Sequence, residues 1–192
     1  RHLLDGVGAV QRQQVLTLFA VAALVMFATL SIEPIITVYL QQLQAPHLTL
    51  MAGAVMAAAA LGSILAASTL GRLADRIGHW PVLTGCLLSA ALLLIPQAFV
   101  TNAWQLMGLR LCMGLAIGGL LPCITALIRH AVPGEIAGRT LGYATSSQYV
   151  GQVLGPLAGG YAGGHWGMSP VFLGTSVLLA ACAGWTQYLA RR

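Results

Sequence analysis

GRLADRIGHWPVL, residues 71–83, packs two arginines, an aspartate and a histidine into a few positions. The segments on either side, LGSILAASTL (61–70) and TGCLLSAALLLI (84–95), contain no charge at all. An island of charge between two long apolar runs reads as a connector at a membrane surface. Composition extends that reading to the whole chain. It is 58% hydrophobic and 7% charged, with mean hydropathy +0.83. Soluble domains average about a quarter charged residues. So few charges cannot cover a water-soluble surface, so the bilayer is the solvent.

A spanning helix needs about 20 mainly apolar residues. Six stretches qualify: 15–40, 48–70, 82–100, 103–128, 140–162 and 168–189. The connectors are short, so consecutive spans run antiparallel. With six spans, both termini lie on one side. Arg1, Arg12, Arg72, Arg76, Arg129, Arg139, Arg191 and Arg192 then all fall on one face. The opposite connectors, QQLQAPH, TN and GGHWG, contain none. The positive-inside rule places the arginine face and both termini in the cytoplasm. The net charge of +5 is explained by this segregation. No aromatic-interleaved basic patch suggests nucleic acid. Cys86, Cys112, Cys123 and Cys182 lie in apolar runs without C-x-x-C spacing and read as buried small hydrophobes. The chain opens on Arg1, not methionine, which suggests a piece of a longer protein.

Ionisable groups inside a span are functional candidates because of their cost in hydrocarbon. Here they are Glu33, in SIEPIITVYL of span 1, and Arg110, in LMGLRLCMGLAIGG of span 4. Each lies about 10 Å in from the outer end of its span, at 1.5 Å per residue. They are expected to pair or to share a water-filled cavity. The plainer alternative places Glu33 at the outer interface and lets Arg110 snorkel outward. Pro34, Pro122 and Pro156 interrupt spans 1, 4 and 5, and interrupted helices at corresponding positions of a repeat mark transport paths.

In YVGQVLGPLAGGYAGG (149–164), Gly151, Gly155, Gly159 and Gly163 recur every four residues, a slowly winding stripe on one helix face. Such a stripe permits close helix packing in lipid. Span 2, with Gly53, Ala57, Ala60 and Gly71, offers a matching small-residue face. Pro156 suggests that the stripe also pivots. Gln148 and Gln152 belong to a polar patch just before and within it, and Met113 suits an adaptable apolar cavity.

The chain resembles the major facilitator superfamily. GRLADRIGHWPVL is similar to its loop signature G-x-L-a-D-r-x-G-r-k-x-x-l, keeping Gly71, Leu73, Ala74, Asp75, Arg76, Gly78 and Leu83 but placing His79 and Trp80 where basic residues are usual. Span 4 resembles R-x-x-q-G-x-g through Arg110 and Gly114, with Met113 in place of glutamine and Ala116 in place of glycine. The glycine stripe resembles the g-x-x-x-G-P-x-x-G-G motif of drug–proton antiporters through Gly151, Gly155, Pro156, Gly159 and Gly160.

The resemblance implies an all-α fold: one six-helix half, built as two three-helix inverted repeats, of a twelve-helix transporter. The C-terminal half fits best. It implies proton-coupled efflux of small amphipathic compounds by alternating access in the bacterial cytoplasmic membrane. The proton gradient would supply the energy, with no cofactor or metal. Gly71, Asp75, Arg76 and Gly78 would form a cytoplasmic gate. Glu33, Arg110, Met113, Gln148 and Gln152 would lie on the coupling and substrate pathway. Gly114, Gly151, Gly155, Pro156, Gly159 and Gly160 would serve packing and pivoting. Partners would be substrate, protons, lipid and a second six-helix half, in the same chain or a dimer. A binding or scaffold unit without transport is the alternative. An intramembrane enzyme is disfavoured, because no G-x-S-G, H-E-x-x-H or carboxylate pair is present and every histidine sits in a tail, a loop or at a span end.

Overall fold

The computed structural model describes residues 8–44 and 46–190; Arg1, Asp5, Arg191 and Arg192 lie outside the described residues. The described chain folds into helices α1 (Ala9–Gln42), α2 (Leu48–Ile77), α3 (His79–Gln97), α4 (Ala103–Ile117), α5 (Leu120–Ala131), α6 (Gly134–Trp166) and α7 (Met168–Ala190). Helices α4 and α5 form one span with a short break. Five spans among the described residues are long and apolar enough to cross a membrane. The sixth, α6, has 33 residues, but its glycines and its Thr-Ser-Ser-Gln segment make it less apolar than the others.

Three helix pairings organise the bundle, and their registers settle its topology. A methyl group added at Gly151, Gly155 or Gly159 of α6 would strike Ala23, Phe27 or Ser31 of α1 in turn. Both series ascend together, so α1 and α6 run parallel. In the same way Gly114 meets Ala59, Gly118 meets Ser63 and Gly119 meets Leu70, so α4 runs parallel to α2. Thr84 bonds Thr186, Ser176 bonds the Ala91 carbonyl and Ser169 bonds the Ala98 carbonyl, so α3 and α7 run antiparallel. Six alternating spans require these three orientations. Exchanging the first three spans for the last three maps the 1–5 pairing onto 4–2 and leaves 3–6 unchanged. That is the symmetry of two inverted three-helix repeats.

Helix α1 is the axis of the core. Leu18, Ala22, Val25, Ala28, Ile32, Ile36 and Tyr39 recur at three- and four-residue steps on a stripe closed from solvent. Phe172 of α7, fully buried, stacks at a tilt on Tyr39 with ring centroids 5.4 Å apart. Outside the core, Leu61, Ile64, Leu65, Leu92, Leu157 and Val177 are exposed. Water would penalise so much apolar surface, whereas lipid solvates it.

The charged connector differs from the sequence expectation. It is mostly helix: α2 continues through Gly71, Asp75 and Arg76 to Ile77, and α3 begins at His79. Gly78 alone makes the turn, at φ 98° and ψ 151°, a conformation open essentially to glycine. Gly71 therefore serves no turn. Pro81 falls in the first turn of α3, where its missing N–H leaves no bond unmade. At the outer side, Asn102 caps α4 by accepting from the Trp104 N–H at 2.8 Å.

Candidate transport site

Span 4 breaks at Gly118–Gly119. Pro122 lacks the N–H that would bond the carbonyl four residues back, which is Gly118. The break is held against α2: a methyl at Gly118 would sit 2.6 Å from the Ser63 carbonyl oxygen, and one at Gly119 2.8 Å from Leu70. Beside the break opens a groove of about 320 Å³. Its walls come from Met26 and Thr29 of α1, Ser63 and Ile64 of α2, and Ile117, Gly118, Leu120, Leu121 and Pro122. The hydroxyls are internally bonded, Thr29 to the Val25 carbonyl at 2.8 Å and Ser63 to the Gly114 carbonyl at 3.2 Å. What faces the groove is therefore mainly apolar. Gln152 of α6 reaches the edge of this region, with Nε2 3.8 Å from Met26 Sδ.

Arg110 lies two turns from the break on the same span. It is 4% exposed, so it does not snorkel. Its Nε and Nη2 have no hydrogen-bond partner. An unsatisfied buried donor costs about 1–3 kcal/mol, and more when charged. Glu33 makes no ion pair with Arg110, so of the two expectations, a direct pair or a shared cavity, the direct pair is not formed. The reason is rotational. Ser31, Ile32, Ile35 and Ile36 occupy the buried face of α1, which turns Glu33, Pro34, Thr37 and Val38 outward. Arg110 sits instead on the buried stripe of α4 with Leu106, Met113 and Gly114.

Met113 is 1% exposed and does not line the groove. It packs against Gln97 of α3, whose Nε2 lies 3.4 Å from its sulfur. Gln97 is a buried polar residue that sequence reasoning missed. Its amide follows Pro96 at the end of an apolar run, where it resembles an ordinary span terminus. The only available signal was a polar side chain still inside the apolar stretch LLLIPQAFV. Gln97 also donates to the Leu93 carbonyl at 3.0 Å, and its own backbone carbonyl accepts from the Tyr39 hydroxyl at 3.1 Å.

The glycine stripe is placed differently from expectation. Gly151, Gly155, Gly159 and Gly163 lie on α1, whereas Gly53 and Gly71 of α2 have nothing within 4 Å of an added methyl. Gly160 is equally open and takes no part in the seam. Pro156 lies within an unbroken α6, and Gln148 is half-buried there.

At the opposite end, the arginines gather. A small cluster of Val15, Val132 and Ile136 joins the start of α1 to the turn between α5 and α6. His79 and His130, with ring centroids 5.6 Å apart, join the start of α3 to the end of α5. Arg12, Arg72, Arg76, Arg129 and Arg139 all belong to these helix ends and are exposed. Asp75 lies 3.8 Å from His79 Nε2, an ion pair when that ring is protonated, and its side chain is 74% exposed.

The family model of the Major Facilitator Superfamily matches residues 11–191. The chain belongs to that superfamily. It is 39% identical over 172 residues to YuxJ of Bacillus subtilis, described as an uncharacterized MFS-type transporter, covering 88% of this chain and 44% of the relative. It is 38% identical to the multidrug resistance protein MdtG of Dickeya zeae, covering 89% of this chain and 43% of the relative. It is 35% identical to MdtG of Citrobacter koseri, covering 100% and 48%. The chain spans about half the length of the curated relatives it matches. As a superfamily member it is a multi-pass membrane protein of a transporter class, not an enzyme class, and the six-span bundle with its 1–5, 2–4 and 3–6 pairings is a half-unit of that fold.

Proposed function

We propose that this chain supplies one half of a proton-coupled exporter of small amphipathic compounds, working by alternating access. The half sits in a bacterial cytoplasmic membrane with its arginine end toward the cytoplasm. The observation that carries the reading is Arg110: a buried guanidinium with an unpartnered donor edge, on the span that breaks beside an apolar groove. A group this costly in hydrocarbon is retained for a task. Export of multiple compounds is supported by the names of the MdtG relatives.

On this reading the groove takes the apolar body of the substrate, and its bonded hydroxyls impose little chemical selectivity. Glu33, turned outward from the α1 core, faces the second half and takes up the proton. Arg110 senses its charge through space. Asp75 and Arg76, exposed at the arginine end, latch against a helix end of the second half when the transporter faces outward.

The experiment is ethidium accumulation in cells expressing the full-length protein that contains this segment, with and without a protonophore. Wild type lowers accumulation only while the gradient stands, and Arg110→Ala abolishes that effect at normal membrane abundance. Gradient-independent efflux would remove proton coupling, and a fully active Arg110→Ala would remove Arg110 from the mechanism.

A further inference from the structure

Among the described residues, the buried side-chain polar atoms without a partner are Gln97 Oε1, Arg110 Nε and Arg110 Nη2. One is an acceptor and two are donors. They belong to adjoining helices. Gln97 crosses from α3 to touch α4 at Met113, one turn from Arg110 and on the same buried stripe. Gln97 is fully buried and its amide nitrogen is committed to the Leu93 carbonyl and the Met113 sulfur, so its oxygen is the side of the amide left to bond.

We propose that Gln97 is a positioning residue for Arg110, its Oε1 serving as the acceptor that steadies the guanidinium edge during the transport cycle. This rests on the reading of Arg110 as part of the coupling machinery. Hydrogen-bonding capacity and placement carry the assignment: Gln97 reaches α4 at Met113, one turn from Arg110, and either unpartnered group alone would be an unexplained buried defect. Met113, flexible and apolar, fills the space that an amide on α4 would take and allows the arginine edge to move between acceptors.

The test measures the initial rate of ethidium efflux by the full-length protein, alongside its abundance in the membrane. Gln97→Leu is expected to lower the rate about tenfold, the effect of losing one hydrogen bond to a charged group. Gln97→Leu combined with Met113→Gln, which moves the amide from α3 to α4, is expected to recover most of the rate. A merely structural role for Gln97 would not be rescued this way. If Gln97→Leu is absent from the membrane, Gln97→Glu decides, since it keeps the shape and the acceptor and, in its protonated form, a donor for the Leu93 carbonyl, and is expected to retain efflux. Normal efflux in Gln97→Leu, no rescue by the double variant, or loss of efflux in an abundant Gln97→Glu each overturns the proposal. Arg110→Ala separates the two levels: if it exports normally, the coupling reading itself has failed. If it is inactive while Gln97→Leu is active, only the positioning role has failed.

Discussion

The α1–α6 and α2–α4 seams are related by exchange of the two helix triplets, and they reach close contact by different means. In the first, all the glycines belong to α6, and they receive the backbone of α1 at Ala23, Phe27 and Ser31. In the second, both helices contribute. Gly62 of α2 admits the Leu111 carbonyl, while Gly114 of α4 and Gly118 at the break admit those of Ala59 and Ser63. Lipid gives helices little hydrophobic reason to associate, so both seams depend on backbone approach. The one-sided seam shows in sequence as a four-residue glycine repeat. The two-sided seam shows as a single four-residue step, Gly114 to Gly118, because its small residues are split between helices. It is also the seam beside the span 4 break and the groove, so the less visible interface adjoins the candidate transport site.

The largest expected effect tests the one-sidedness of the α6 seam. Gly159→Leu drives a side chain into Ser31 and should eliminate folded protein, seen as loss of a monodisperse peak after detergent extraction. Gly160→Leu, one residue on in open space, should extract normally. Equal behaviour of the pair would dissolve the seam.

Next in size, Gly114→Ala and Gly62→Ala should each destabilise by about 1–3 kcal/mol through overpacking, read as a lowered thermal midpoint in detergent. Because each meets the other's helix backbone, their combination should be non-additive. Simple additivity would mean that the two positions do not share an interface.

A similar cost, about 1–3 kcal/mol, is expected for Gly78→Ala at its positive φ, whereas Gly71→Ala inside α2 should be neutral or gain up to about 1 kcal/mol. The same thermal midpoints check both. A penalty at Gly71 would restore the looped connector and contradict the long α2.

The smallest effect concerns the antiparallel α3–α7 pair, which is joined by hydroxyls. Thr84→Val and Thr186→Val should show a coupling of about 1 kcal/mol or less in a double-mutant cycle, consistent with a single 3.1 Å bond. A coupling near zero would leave that pairing to apolar packing alone.

Much of the fold was legible in the chain. The six apolar stretches, the arginine segregation and the superfamily motifs all rest on local composition and short spacing. Site details were legible only where one residue carried the signal. Arg110 stood out because a charge in an apolar run is rare. Gln97 did not, since an amide after a proline looks like a span end until Met113 is seen against it. A Glu33–Arg110 pair or shared cavity was inferred from matching depth, and depth leaves rotation undetermined. The α1 core faces Ile32, Ile35 and Ile36 inward, and that sends Glu33 the other way.

By itself the sequence determined the membrane character of the chain, the alternation of its helices and the helix face that carries the glycine stripe. These follow from hydropathy, charge placement and the helical repeat, all properties of single segments. Tertiary structure alone decided that the stripe meets α1 instead of α2, that Gly78 and not Gly71 makes the turn, and that Gln97 of α3 packs on Met113 of α4. A small-residue stripe accepts almost any helix backbone, so it does not encode its partner. The partner is chosen when all six spans must close around one core.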